Sequence, residues 1–129
     1  MTVLLDTHAL HWWATEPDRL SPAARRVLQD ADELAVAAIT WWELAWLVRR
    51  GRIGVGVPAR TLITSLAKDV RTVGLTPSIA ATAAEIAGAF PNDPGDRLIY
   101  ATAIEHGWQL VSKDRRLRDH DREGAVVVW

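Results

Sequence analysis

The sequence contains no cysteine among its 129 residues. That absence excludes disulfide bonds and thiolate metal sites, and the chain carries no sign of an oxidising compartment. No apolar run approaches the roughly 20 residues that a membrane-spanning helix requires. The opening MTVLLDTHAL lacks a basic segment, and Asp6 interrupts its apolar run, so we expect no secretory signal. A cytoplasmic protein with no membrane partner is therefore expected.

The chain has no net positive charge, and phenylalanine and tyrosine are scarce. Lysine and arginine together number 15 against 16 acidic residues, and the formal net charge is −1. Proteins that bind nucleic acids over a broad surface are usually basic, so any such contact must be local or assisted by a bound cation. Phenylalanine and tyrosine occur once each, whereas tryptophan occurs seven times. The tryptophans therefore need an explanation of their own.

Apolar runs with strand character alternate along the chain with segments of helical character. The predicted strands are 2–5, 33–39, 70–75, 108–112 and the terminal 125–129. The predicted helices are 8–14, 21–30, 40–51, 58–68, 76–90 and 96–106, with a short turn or helix at 115–119. Nearly all-apolar strands that alternate with helices indicate a mainly parallel sheet, here of about five strands, covered on both faces. We therefore predict a single α/β domain over residues 1–129.

Two acids follow predicted strands directly or closely. Asp6 follows the first strand, and Asp114 follows the fourth. In parallel sheets the functional crevice lies beyond the carboxyl ends of the strands. Each acid also has a simple structural explanation. Asp6 is suited to a turn or a helix cap, and Asp114 precedes arginines with which it would form a surface ion pair.

Two further acids lie near predicted helix starts. The stretch TWWE fits a capping box, with Thr40 as N-cap and Glu43 at the third helical position. The stretch DPGD places Asp93 at the N-cap, Pro94 at the first position and Asp96 at the third. Capping alone would account for both stretches.

Taken together, the four acids suggest a shared site. Strand carboxyl ends and the N-termini of the following helices lie at the same edge of such a sheet, so four carboxylates would meet there. Helix N-termini offset their repulsion by only about 0.3–1 kcal/mol each. A cation is needed to offset the rest, and all-oxygen ligation suits Mg²⁺ or Mn²⁺.

Four ordered motifs resemble those of a known family. LLDTHAL, AITWWEL, DPGDRLIYATA and LVSKD resemble the motifs of PIN-domain ribonucleases, most closely the VapC-type toxins of bacterial toxin–antitoxin pairs. The resemblance covers residues 3–129. It implies a three-layer α/β/α fold and a catalytic, metal-binding site formed by Asp6, Glu43, Asp96 and Asp114. Accessory positions in the same motifs are Thr7, Asp93, Arg97 and Ser112.

Two residues depart from the pattern of that subgroup. Gly95 stands where an aromatic residue is usual, so we expect a looser loop that holds Asp96 less firmly. Ser112 replaces the commoner threonine two residues before Asp114, and this change keeps the hydroxyl group.

The resemblance implies a Mg²⁺-dependent endoribonuclease, with Mn²⁺ able to substitute. A metal-activated water would hydrolyse the RNA, and the implied partners are a VapB-like antitoxin and a second copy of the chain in a homodimer. An acidic site repels RNA, so basic residues should line its approach. Arg97 and the pair Arg49 and Arg50 are candidates, although each has a simple reading as a solvated surface residue. The preferred phosphate contacts lie in KDRRLR, namely Lys113, Arg115, Arg116 and Arg118.

The tryptophans near the motifs allow two interpretations. Trp42 and Trp46 share one helix face, which is typical of core or of a protein interface. Trp12 and Trp13 are adjacent, so one of them could be exposed near Asp6. Packing or antitoxin contact is favoured over base stacking for all four.

Two other functions fit the same pattern of acids. In a non-catalytic binding module of this fold, the caps would be only caps and the tryptophans an interface. An aspartate-dependent phosphatase would also place Asp6 at the first strand exit. That chemistry normally needs a second acid two residues further on, where this sequence has His8.

Overall fold

The computed structural model describes residues 1–87, 90–121 and 125–129. Five strands of these residues form one sheet in the order β3-β2-β1-β4-β5, and each neighbouring pair is parallel. The strands are β1 (Thr2–Leu5), β2 (Glu33–Ala37), β3 (Arg71–Val73), β4 (Gln109–Val111) and β5 (Val127–Val128). The predicted parallel sheet of five strands is confirmed.

Seven α-helices connect or flank the strands in the described part of the chain. They are α1 (Thr7–Thr15), α2 (Pro22–Asp30), α3 (Ala38–Arg49), α4 (Ala59–Leu66), α5 (Pro77–Glu85), α6 (Pro94–His106) and α7 (Arg115–His120), with a short 3₁₀ turn at Pro17–Arg19. Among the residues that the structure describes, none of these helices combines the length and the apolar character that crossing a bilayer requires.

The sheet separates two apolar clusters, as expected when helices cover both faces. Along β1, Val3 and Leu5 point to one cluster and Leu4 to the other, because side chains alternate along a strand. All three are almost completely buried. Residues from α1 to α4 pack in the first cluster, and residues from α5 to α7 pack in the second. The predicted three-layer α/β/α architecture is therefore confirmed.

Local capping fixes several helix starts. Ser21 and Thr76 accept hydrogen bonds from backbone N–H groups three residues further on, and each is followed by proline at the first helical position. Asp93 caps α6 in the same way, as the sequence predicts. Gly107 ends α6 with a φ of 66°, a left-handed conformation that glycine adopts without strain.

The start of α3 differs from the prediction. Strand β2 ends at Ala37 and α3 begins at Ala38, so Thr40 lies inside the first turn with its hydroxyl buried. The predicted capping box of Thr40 and Glu43 is therefore wrong. Small and apolar residues such as Ala38 and Ile39 suit a buried strand and a buried helix equally, so periodicity alone misplaces this boundary. Glu43 is left free of any capping role.

Two other elements, α5 and β3, are shorter than predicted. Helix α5 ends at Glu85, and residues 86 and 87 are not helical, whereas the predicted helix ran to residue 90. Residues 88 and 89 of that predicted helix lie outside the described residues. Strand β3 covers 71–73 rather than 70–75, because only three residues pair with β2.

The strand order defines where a site should form. From β1 the chain continues to β2 on one side, whereas β4 continues to β5 on the other side. The direction of winding therefore reverses between the neighbouring strands β1 and β4. In open parallel sheets, the crevice at such a reversal is the usual place for a ligand. Asp6 follows β1 and Asp114 follows β4, so both acids lie at this crevice.

Candidate functional site

A cleft of about 1390 Å³ opens at this crevice, and all four predicted acids line it. The acids come from four different helices. Asp6 and Asp114 are the N-caps of α1 and α7, whereas Glu43 and Asp96 lie within α3 and α6. The same cleft is lined by Thr7, by Asp93 and by all four basic residues of KDRRLR, which are Lys113, Arg115, Arg116 and Arg118. The structure therefore brings the predicted site residues together with few exceptions.

Asp6 is held at the junction of β1 and β4. Its backbone N–H donates to the carbonyl of Val111 at 3.1 Å, and its Oδ1 accepts from the N–H of Ala9 at 2.8 Å. Burial raises the pKa of Asp6, whereas hydrogen bonds from Ser112 and Ala9 oppose that shift. The Oγ of buried Ser112 also accepts from the N–H of Asp114 at 3.1 Å. Ser112 thus links the two strand-exit acids.

Glu43 reaches the cleft from the second turn of α3. Its Oε1 accepts a 2.7 Å hydrogen bond from the hydroxyl of Thr7, which is the first residue of α1. Burial raises the pKa of Glu43, and the nearby charges of Asp93 and Asp6 add to the effect, while the bond from Thr7 opposes it. Thr7 therefore orients the carboxylate of Glu43, but its hydrogen bond does not return the pKa of that carboxyl to its ordinary value.

The folded protein disfavours the ionised form of Asp96. Burial, followed by the charges of Asp93 and Asp114, raises the pKa of Asp96 from 3.8 to about 7. The backbone N–H of Asp96 donates to Oδ1 of Asp93 at 3.0 Å, so Asp93 is the cap. The carboxylate of Asp96 faces Arg116, with Nη2 to Oδ2 at 3.3 Å.

Arg116 joins two of the acids. Its Nη2 donates to Oδ2 of Asp114 at 3.0 Å, in addition to its contact with Asp96. Burial alone would raise the pKa of Asp114, but hydrogen bonds from the side chain and backbone of Arg116 outweigh it and lower the pKa. The ion pair that the sequence suggests for Asp114 is therefore present, inside the cleft.

Arg97 has a different environment from the one considered for it. Its guanidinium donates to three backbone carbonyls, those of Pro91 at 3.0 Å, Ala83 at 2.9 Å and Ile86 at 3.1 Å. These bonds fasten α6 to the end of α5 and to the segment before α6. The interpretation of Arg97 as a phosphate contact is not supported, because Arg97 does not line the cleft and its Nε and Nη1 donate to the backbone. Arg49 and Arg50 do not line the cleft either.

Sequence reasoning missed two basic residues of the cleft wall. Arg19 lies on the 3₁₀ turn after α1, and Arg52 lies in the connection between α3 and α4. Neither follows a strand or belongs to a motif, so no local signal marks them. Arg19 is held by the exposed Glu16 at 3.6 Å and by the ring of Trp12, 4.9 Å from the centroid.

His8 and His11 also line the cleft, although the sequence gives no metal pattern for them. His11 is buried, with Nε2 3.1 Å from Glu16 and Nδ1 3.1 Å from the hydroxyl of Thr15. Burial lowers the pKa of His11. Both ring nitrogens of His11 therefore have partners within the protein, so we assign His11 a structural role.

The four tryptophans near the motifs divide into two pairs. Trp12 is buried, and Trp13 is partly buried against the same cluster, so neither is the exposed residue considered near Asp6. Trp42 and Trp46 are 59% and 47% exposed and stack with 5.6 Å between ring centroids on the cleft wall. The predicted shared face of α3 is correct, and it faces solvent.

The donor set fits a hydrated divalent cation. All four groups are carboxylates, and burial and mutual repulsion raise the pKa of three of them. Within residues 1–87, 90–121 and 125–129, no three acidic or imidazole groups converge tightly enough to cage one ion. A divalent cation that keeps several of its waters binds through only one or two carboxylates, so an open arrangement of this kind has room for one.

Comparison with known proteins agrees with the fold. Residues 3–123 match the PIN domain family. Ribonuclease VapC22 of Mycobacterium tuberculosis is 59% identical over 128 residues, which cover 99% of this chain and 98% of that protein.

Two solved structures share the architecture at low sequence identity. A toxin–antitoxin complex from Klebsiella pneumoniae has a TM-score of 0.69 at 19% identity and covers 98% of this chain and 96% of its own. VapBC2 from Rickettsia felis, bound to a DNA fragment from its promoter, has a TM-score of 0.67 at 12% identity and covers 99% and 98%. By its sequence match and its fold, this chain belongs to the PIN-domain family and, within it, to the VapC group.

Proposed function

We propose that this chain is a Mg²⁺-dependent endoribonuclease that acts as the toxin of a type II toxin–antitoxin pair. One observation carries the proposal: four carboxylates meet at the reversal of strand order, and three have a raised pKa. Strained carboxylates of this kind are typical of sites that bind a cation or perform acid–base chemistry. The name of the relative that is 59% identical, a ribonuclease, supports the same activity.

The acids would divide the work by position. Asp6 and Asp96 would hold the cation, and Asp114 would hold a second or more weakly bound ion. When bound, Mg²⁺ lowers the pKa of a coordinated water and stabilises negative charge on the scissile phosphate. Glu43, whose Oε1 accepts a 2.7 Å hydrogen bond from Thr7, would be a further ligand of the ion or would orient a water bound to it, and in the second role it would accept the proton of that water.

The substrate would be held by basic residues around the acidic floor. Lys113, Arg115 and Arg118 are exposed on the cleft wall, next to the acids. They provide local positive charge in a chain whose net charge is −1, which matches the expectation of a local contact. Arg116 lies between Asp96 and Asp114, where a phosphate of the substrate would also approach.

The antitoxin would cover the stacked pair on α3. Trp42 and Trp46 form an exposed aromatic surface beside the acids, and Arg50 lies over the ring of Trp46 at 5.3 Å. Exposed aromatic groups with arginine are typical of protein interfaces. The solved structures with this fold include a toxin–antitoxin complex, which supports a VapB-like partner.

RNA cleavage with matched variants tests the proposal. The purified protein should cut total RNA with Mg²⁺ or Mn²⁺ and stop when the ion is chelated. Asp6→Asn and Asp96→Asn should remove the activity. Asp30→Asn, an equal change of charge at an exposed position on α2, is the control and should not alter it.

Several results would contradict the proposal. Cleavage by Asp6→Asn at the rate of the unmodified protein would exclude the assigned site. A protein that binds neither Mn²⁺ nor RNA but retains a protein partner would be a binding module. Hydrolysis of a small phosphomonoester with intact RNA would indicate a phosphatase instead.

A further inference from the structure

Gly95 lies in the first turn of α6, between the cap Asp93 and the acid Asp96, and it is buried. The looser loop predicted at this position is wrong, because the residue is helical. Its φ is not among the positive values found for Gly51, Gly56 and Gly107. The backbone conformation therefore does not require glycine at position 95.

The cause is a close approach from another helix. A Cβ added at Gly95 would lie 2.9 Å from Cδ of Glu43 and closer still to Oε2, with Oδ1 of Asp93 at 3.1 Å. A carbon atom cannot occupy such a position without displacing its neighbours. At Gly54 and Gly74, by contrast, an added Cβ would meet no atom within 4 Å. The space of the missing side chain at position 95 is therefore filled by the carboxylate of Glu43.

Two opposite contacts thus fix this carboxylate. The hydroxyl of Thr7 donates to Oε1 at 2.7 Å, while Oε2 lies against the backbone of Gly95. The two contacts come from α1 and α6, whereas Glu43 itself belongs to α3. Thr7 attracts the carboxylate, and Gly95 leaves the space into which it extends.

We propose that Gly95 is a positioning residue whose missing side chain allows the carboxylate of Glu43 to reach the first turn of α6, beside Asp93 and Asp96. In this chain, where the carboxylate of Glu43 occupies the space beside Gly95, a side chain at position 95 displaces that carboxylate from the first turn of α6. The geometric part of this inference depends only on the packing of α3 against α6. Its consequence for metal binding and RNA cleavage rests on the proposed function.

The geometric part is tested without metal or RNA. A crystal structure of metal-free Gly95→Ala protein should show the carboxylate of Glu43 moved away from residue 95, with α6 in its original place. A carboxylate in its original position, with α6 displaced instead, would overturn the proposal. If Gly95→Ala does not fold, the double variant with Glu43→Ala should fold, because the clashing atoms are gone. Failure of both variants would also overturn it.

A double-mutant cycle tests the consequence for the cation. Calorimetric titration with Mn²⁺ should show about tenfold weaker binding for Gly95→Ala, the lower end of the effect of losing a group that orients a metal ligand. In protein that already carries Glu43→Ala, the same glycine substitution should have no further effect. Equal weakening in both backgrounds would show that Gly95 acts on Asp96 or on the helix directly, and would refute the proposal.

A matched glycine substitution serves as the control. Gly74 lies outside the cleft, and a Cβ added there would meet no atom within 4 Å. The Gly74→Ala variant should therefore leave Mn²⁺ binding and RNA cleavage unchanged. The two proposals fail in different ways. Unmodified protein that binds Mn²⁺ but cuts no RNA contradicts the proposed function alone, whereas an unmoved Glu43 in the Gly95→Ala crystal contradicts the role of Gly95 alone.

Discussion

Replacing Asp96 by asparagine should stabilise the metal-free protein while removing its activity. Burial and the charges of Asp93 and Asp114 raise the pKa of Asp96 from 3.8 to about 7, and its side chain is only 24% exposed. One unit of pKa corresponds to about 1.4 kcal/mol, so ionising Asp96 in the folded protein costs roughly 4 kcal/mol. Asparagine has the same shape and carries no charge.

The pH dependence follows from the direction of this shift. Between pH 3.8 and about 7, the folded protein retains a proton on Asp96 that the unfolded chain has already released. The free energy of unfolding therefore falls as pH rises through this window and stays low above it. Below the window both states are protonated, and the contribution of Asp96 disappears.

Urea denaturation in the presence of a chelator measures the effect. At pH 8 the free energy of unfolding of Asp96→Asn should exceed that of the unmodified protein by about 1–3 kcal/mol, less than the full cost because Arg116 loses one partner. At pH 4.5, where the unfolded chain has released most but not all of the proton, the gain should fall to about a quarter of its value at pH 8. Asp30→Asn, at an exposed position, should change neither value.

Adding Mn²⁺ should reverse the order of stability. The unmodified protein should gain stability with ion concentration, since a ligand that binds only the folded state stabilises it. Asp96→Asn should gain much less. The reasoning would be refuted if Asp96→Asn were no more stable than the unmodified protein at pH 8, or if its gain were equally large at pH 4.5.

Three other substitutions test individual contacts. Arg97→Ala should lower the free energy of unfolding by about 2 kcal/mol or more, because three backbone carbonyls lose a charged donor, and an unchanged urea midpoint would exclude that role. Thr40→Val should raise stability by up to about 1 kcal/mol, since its buried hydroxyl has no hydrogen-bond partner among the described residues, and a loss in thermal unfolding would contradict this. Thr7→Val should weaken Mn²⁺ binding about tenfold in calorimetry by releasing the carboxylate of Glu43, and equal affinity would show that the contact is dispensable.

The sequence predicts the sheet well because the signal is local and repeated. Each strand is a short apolar run that ends at a turn or an acid, and parallel pairing then follows from the alternation with helices. The acids Asp6 and Asp114 are found by the same rule, since a strand exit can be recognised without knowing any distant contact.

Other features depend on contacts between residues that are far apart in the chain. The start of α3 at Ala38 is set by where β2 stops pairing with its neighbours, which a run of small and apolar residues does not reveal. Arg97 is assigned by three carbonyls that surround it only after α5 and α6 pack together. Gly95 looks like a loop glycine until Glu43, 52 positions earlier, is placed against it.

Asp6, Asp93 and Asp114 each cap a helix at the cleft, so the same oxygens serve the fold and the site. An alanine at any of these positions removes a cap, at a typical cost of about 1 kcal/mol, as well as a charge. Asparagine is an equally good cap, so it removes the charge and leaves the helix start intact. If an alanine variant at one of these positions is inactive, the loss of stability and the loss of the charged group cannot be told apart. An asparagine variant loses only the charge and therefore separates the two effects.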